Sequence, residues 1–241
     1  MSRDETAALG LPLLAAGQAQ KHVTVNEALT RLDAVAAGRV AGVGADTPPV
    51  AAVEGEAHVV GTAPSGDWSG RAGALAYRVG GGWDFVAPWA GAGVHDVASG
   101  GRVVFDGVDW VEGRIAGSAS GAATAMRVVE IEHAVEAGAV SDTATLIPEG
   151  ALAIGVTGRV VEAIGGVSGW RLGIEGAEER YGAGLGTAAG AYARGLTSAP
   201  LVYWQPTALR LTPEEGAFTS GRVLLAVHLI EIRPPRVPSM P

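Results

Sequence analysis

A chain of 241 residues with 37 glycines, 13 prolines and no cysteine is too rich in turn-formers for a helical bundle and excludes disulfides and thiolate metal sites. Its length suffices for one large β domain or two small ones, each able to bury a core. The formal charge of −8 is spread along the chain, and the arginines are scattered beside a single lysine, Lys21. No basic stripe exists to neutralise phosphates, so nucleic-acid binding is not expected. The arginine bias reads as the codon usage of a GC-rich genome.

Residues Ala7 to Ala16 have the apolar character of a signal-peptide core, but Asp4 and Glu5 stand where positive charge is required. Secretion by that route is not expected. Membrane insertion is not expected either, because no run approaches the ~20 apolar residues of a spanning helix. Thr24-Val25-Asn26-Glu27 has the spacing of a capping box. A helix is predicted from there to about Ala37, with Gly38 as a left-handed C-cap. Val25, Ala28, Leu32 and Val35 recur with the a/d spacing of a coiled-coil seam, over too short a length to hold one unaided. The stripe either seals a symmetric seam or packs on the chain's own β domain. Residues 1–38 are assigned as an attachment and oligomerisation element.

Residues 40–49 read as a Gly/Ala/Pro linker, and residues 50–112 as a small β-hairpin domain. Its expected strands are 58–60, 75–79, 83–86, 102–105 and 109–111. Gly80-Gly81-Gly82 and Asp106-Gly107 supply the positive φ angles of tight hairpins. Each hairpin is expected to set an aromatic before the turn against a tryptophan after it, Tyr77 with Trp83 and Phe105 with Trp110. Such pairs stabilise small sheets by roughly 0.2–1 kcal/mol each. They form a weak internal repeat between Trp83 and Trp110.

Residues 113–125 have linker composition and mark a domain boundary. Residues 126–236 carry longer strands, including the apolar run Val223 to Ile230, and read as an antiparallel β-sandwich of jelly-roll type. The expected fold class is therefore mainly β: a helix, a small Trp-hairpin domain and a sandwich. The stretch 176–200 shows no periodicity and is expected to be a long loop, of the kind that is usually functional or disordered.

Chemistry is sparse. There is no G-x-S-x-G, and no serine is near a plausible histidine partner in sequence. Glu130 and Glu132 alternate with Val129 and Ile131 as an ordinary solvent face would. Asp142, Glu149 and Glu178-Glu179 could supply a glycosidase-like pair only if the fold converged them. The histidines (22, 58, 95, 133, 228) lack metal-ligand spacing, Asp106 to Asp109 is a turn, and Gly182 to Gly186 lacks the Lys-Ser/Thr of a phosphate loop. No catalytic residue, metal or cofactor is expected. Trp170, Tyr181, Tyr192, Tyr203 and Trp204 lie in or beside the 176–200 stretch and are the candidate ligand surface, since exposed aromatic faces stack on sugar rings. The bland alternative puts Trp170 and one of the Tyr203/Trp204 pair in the core, because alternation turns one of that pair inward.

Several of these residues together resemble a known family. They are Gly17-Gln18-Ala19-Gln20-Lys21-His22 followed by Asn26-Glu27, then Trp68, the Gly82-Trp83/Pro88 and Asp106-Gly107/Trp110 hairpins, and the ending Leu225-Ala226-Val227-His228-Leu229-Ile230-Glu231. The pattern is similar to tail-fibre and baseplate proteins of alphaproteobacterial prophages and gene transfer agents, over nearly the whole chain. The resemblance implies a particle-associated protein made in the bacterial cytoplasm, with the N-terminal part fixed to baseplate or tail proteins and the sandwich facing the host. It implies no catalytic residues. The expected function is structural and adhesive: a homotrimer recognising host cell-surface saccharide. The alternatives are a glycan depolymerase of the same particle and a free extracellular carbohydrate-binding module.

Overall fold

The computed structural model describes residues 5–15 and 21–237. The chain divides into two compact units, Met1–Arg114 and Ile115–Pro241. The fold is mainly β, with one α-helix and a short 3-10 turn among the described residues, and no helix there is long and apolar enough to cross a membrane.

In the first unit the helix α1 spans Lys21–Ala37 and ends at Gly38, whose φ of +57° makes the left-handed cap that the sequence predicts. Its start differs from the prediction. Thr24 lies inside the helix, because nothing in Lys21-His22-Val23 resists helical geometry, so the capping box is not used. Most of the preceding motif, residues 16–20, lies outside the described residues. Asn26 serves another purpose: its amide accepts from Leu14 N at 2.9 Å and donates to Leu14 O at 3.0 Å. Asp33 is buried and accepts hydrogen bonds from Thr6 Oγ1 and the backbone N–H groups of Ala8 and Leu9, at 2.7–2.9 Å. These two side chains clip the N-terminal segment onto the helix. The four-residue stripe splits: Val35 packs with Ala34 against the sheets, whereas Val25, Ala28 and Leu32 stay exposed.

The expected linker 40–49 instead holds two short strands, β1 (Arg39–Val40) and β2 (Val43–Ala45). Six more complete the unit: β3 (Ala57–Val60), β4 (Leu75–Val79), β5 (Gly82–Val86), β6 (Gly93–Asp96), β7 (Arg102–Phe105) and β8 (Trp110–Glu112). They form two four-stranded sheets, ordered β1-β6-β7-β8 and β2-β3-β4-β5. In each, a short edge strand pairs parallel with the first strand of an antiparallel three-strand meander. The Trp83–Trp110 repeat is thus one meander followed by another, with the edge strand of the second, β1, taken from ahead of the first.

The Gly80-Gly81 turn has φ angles of +57° and +80°, as a two-residue hairpin demands. The cross-strand pairing expected there is off by one: Trp83 faces Arg78, whose guanidinium sits 5.5 Å from the ring, and Tyr77 faces Asp84 and donates to its carboxylate. The even-length turn sets that register. Phe105 does face Trp110, with ring centroids 5.4 Å apart. Trp83 packs edge-on against fully buried Trp68 at 5.1 Å.

The second unit contains β9 (Arg114–Gly117), β10 (Ala123–Ala134), β11 (Ser141–Ile147), β12 (Leu152–Ile174), β13 (Ala177–Leu185), β14 (Tyr192–Val202) and β15 (Thr207–Arg233). The expected linker 113–125 therefore contributes β9 and the start of β10. Two very long strands, β12 and β15, pair antiparallel along almost their whole length. Register breaks cluster between Val160 and Val167, where the ribbon folds over. Glycine is required at that fold: a Cβ on Gly166 would lie 2.2 Å from Ala217 O, and one on Gly216 2.3 Å from Gly166 O.

Beyond the break, each end of the ribbon recruits different neighbours. One layer is ordered β14-β12-β15-β10, and the other brings β13 beside β12 and β11 beside β15. The inner rows of both layers, including Val156, Val160, Trp170, Leu172, Leu211, Leu225 and Leu229, close on one core. This is an antiparallel β-sandwich built on a folded ribbon. The expected loop 176–200 is mostly strand, in β13 and β14. Its glycines hide the pattern because backbones meet there: a Cβ on Gly195 would lie 2.2 Å from Tyr181 O, and one on Gly173 2.1 Å from Ala177 O.

Candidate functional site

The sandwich layer β14-β12-β15-β10 has one face in the core, and register assigns the other face row by row. Directly paired residues share a face. Glu130, Ala226, Thr157 and Arg194 form one row, and Glu132, Leu224, Arg159 and Tyr192 the next. On the other side of the first row lie Val128, His228, Gly155 and Leu196, then Met126, Ile230, Leu152 and Val202. The face thus grades from apolar to charged along the strands. Thr157 and His228 are joined at its middle, Oγ1 to Nε2 at 3.1 Å.

A groove of about 300 Å³ runs across the charged rows. Ala226 and Thr157 make a low floor because their side chains are small. Leu224 borders it, Glu130 rises on one side, and Arg194, Arg159 and Tyr192 rise on the other. With strands ~4.8 Å apart, the backbones of Glu130 and Arg194 stand roughly 14 Å apart, which leaves room for a single pyranose ring between their side chains. Tyr192 is 69% exposed.

Most other charges on the sandwich are engaged. Arg222 bridges Glu132 and Glu162, Arg210 bonds Asp142 and Glu175, Arg171 meets Glu179, and Arg127 pairs with Glu231. By contrast, the side chains of Glu130 and Arg194 have no hydrogen-bond or ion-pair partner among the described residues. Arg159 donates once, to Gly190 O at 3.1 Å.

The five candidate aromatics separate. Trp170, Tyr181 and Tyr203 are buried, so their proposed role as a sugar-stacking surface is corrected: they are core residues. Trp170 Nε1 donates to Gly186 O, and the hydroxyls of Tyr181 and Tyr203 bond each other. Burial pushes the Tyr181 phenol far above its ordinary range. The cause is the strand pairing of β13, which turns Tyr181 inward where a loop would have left it free. Tyr192 and Trp204 remain exposed, at opposite ends of β14. Only Tyr192 joins the groove. Of its other members, Glu130 was read from alternation as solvent-facing, while Arg159, Arg194 and Thr157 were missed. The alternating Tyr192-x-Arg194-x-Leu196 in β14 is the signal that carries Arg194, and Thr157-x-Arg159 in β12 carries the other two.

One pairing invisible in sequence is chemically suggestive. His133 Nε2 lies 2.7 Å from Ser141 Oγ, brought together from β10 and β11. Ser141 is 1% exposed and its Oγ also accepts from Glu136 N at 2.8 Å, so a substrate has no approach to it. Of the candidate carboxylates, Asp142 and Glu179 are tied to separate arginines, and the Arg210 guanidinium holds the Asp142 carboxyl below its usual range. No cluster of metal-ligating side chains occurs among the described residues.

The fold and groove define a helix-bearing, two-unit β protein with a ligand-sized depression on an exposed sheet face. Residues 25–111 match the model of a family described as a protein of unknown function, DUF2793. The match covers most of the first unit. No curated protein matches the sequence. Among solved structures, the chain is similar to one from the cyanophage Pam1 capsid asymmetric unit, at 22% identity and a TM-score of 0.33, over 44% of this chain and 84% of that one. A likeness that low carries no conclusion about fold or role.

Proposed function

We propose that this protein is a structural and adhesive subunit of a phage-like particle, a tail-fibre or baseplate appendage that contacts host-surface saccharide through the groove at Tyr192. The observation that carries this reading is an exposed aromatic held on rigid strands beside two guanidinium groups and across a groove from a carboxylate. Rigid scaffolds with a few converging polar groups are the usual carriers of ligand sites. We read the groove as a binding site rather than a hydrolytic one, with Glu130 as a hydrogen-bond acceptor on its wall. Self-association as a homotrimer runs through α1, whose Val25, Ala28 and Leu32 form an apolar stripe left outside the first unit's core, with Leu32 53% exposed. Trimeric presentation raises the avidity of weak sugar contacts by ~10²-fold. Baseplate or tail proteins are the expected partners of the N-terminal part, and the particle is the expected location.

The experiment pairs two variants. Tyr192→Ala lowers adsorption of particles to host cells and leaves thermal stability unchanged, because the ring is exposed. Leu32→Asp converts the trimer to monomers by light scattering, with the sandwich still folded. Equal adsorption by folded Tyr192→Ala, or a wild-type monomer that still enters particles beside its Leu32→Asp variant, overturns the corresponding half of the reading.

A further inference from the structure

We propose that the Tyr192 groove selects an acidic saccharide, one whose sugar carboxylate is bound by Arg194 and Arg159; this deepens the saccharide reading above and rests on it. The argument starts from charge. The protein carries a net −8, yet two guanidinium groups stand on adjacent rows of one exposed face, at Thr157–Arg194 and Arg159–Tyr192. Arg194 has no intramolecular side-chain partner among the described residues, whereas Arg127, Arg171, Arg210 and Arg222 each satisfy a carboxylate of their own chain. Arg159 is steadied by one bond to Gly190 O and keeps its remaining donors for a ligand. A guanidinium binds a carboxylate with two parallel hydrogen bonds, which neutral hydroxyls cannot match in strength.

The rest of the groove fits a sugar ring and disfavours other anions. Tyr192 offers an aromatic face beside the arginines for the C–H face of a pyranose. The floor presents only the small side chains of Ala226 and Thr157 beneath that ring. Glu130, unpaired on the opposite wall, accepts sugar hydroxyls and repels a second negative charge. The ring is thereby oriented, with its carboxylate towards β14 and its hydroxyls towards β10. A phosphate, carrying more charge in a smaller volume, gains less from Glu130 and nothing from Tyr192.

The test uses the full chain and two defined probes, trigalacturonate and its carboxyl-reduced counterpart, galactotriose, titrated by calorimetry or ligand-observed NMR. Trigalacturonate is expected to bind roughly 10-fold or more tightly than the neutral probe, from the charge-assisted hydrogen bonds. The preference falls with added salt, since the groove is open to solvent. Arg194→Gln and Arg159→Gln each erode the preference while leaving weak neutral binding in place, and Tyr192→Ala weakens both probes. Equal affinity for the two probes, still dependent on Tyr192, overturns the acidic preference and leaves the saccharide reading standing. Acidic binding that ignores both arginine variants, or equal binding of oligoglutamate, overturns the inference as well. Failure of both sugars to bind the folded chain, with adsorption unaffected by Tyr192→Ala, overturns both.

Discussion

Tyr181→Phe removes a single oxygen from the interior of the sandwich, and the cost falls on the partner it leaves behind. Tyr181 and Tyr203 are 1% and 5% exposed, and their hydroxyls bond each other. The phenylalanine ring fills the same space, so no cavity opens. What remains is the Tyr203 hydroxyl, buried and without its partner, at about 1–3 kcal/mol. Tyr203→Phe leaves the mirror-image orphan at a similar cost. The double variant leaves no orphan and is nearly neutral, so the two single costs exceed the double by more than the error of either measurement. Tyr181→Ala, which also empties ring volume, costs about 3–5 kcal/mol. Burial keeps the Tyr181 phenol protonated well above its ordinary value of 10.0, so ordinary assay conditions do not titrate the pair. Because two units unfold in one chain, a single denaturation midpoint is ambiguous. Amide hydrogen exchange along β12, β13 and β14 reads the second unit alone. Two inexpensive single variants whose effects simply add in the double would refute the mutual hydrogen bond as the reason both hydroxyls are tolerated in the core.

Two further outcomes follow from buried polar groups. Burial lowers the His133 pKa from 6.5, so below about pH 6.5 the unfolded chain takes up a proton that the folded one resists, and the second unit loses stability as pH falls towards the lowered value. His133→Gln flattens that pH dependence in exchange or denaturant measurements between pH 8 and 5; an equally flat wild type defeats the assignment. Asp33→Ala removes the acceptor for Thr6, Ala8 and Leu9, and is expected to raise amide exchange and protease cutting within residues 5–14 while the sandwich is untouched. Unchanged protection of Ala8 and Leu9 would show that another contact holds the segment.

Local chemistry made part of this architecture readable in the chain. Gly38 and the Gly80-Gly81 pair announce their turns because a positive φ is a property of the residue itself. The strand segments 75–79 and 102–105 and the apolar run to Ile230 follow from composition and periodicity over short windows. Glu130 was legible as a solvent-facing residue for the same reason, and Tyr192 was named.

What tertiary structure alone decided involves partners distant in sequence. The parallel pairings of β1 with β6 and of β2 with β3 use edge strands of two and three residues, too short to show a pattern. Strands β13 and β14 look like loop because Gly173 and Gly195 must admit a neighbouring backbone, and that requirement erases the alternation that would mark them. Tyr181 went to the core, and Arg194 to the surface beside Tyr192, only once the ribbon of β12 and β15 had set the register on either side of its fold. The physical reason is the same in each case. A residue's own side chain biases its φ and ψ and its affinity for water, but which face it occupies and what it touches are set by the strand paired beside it.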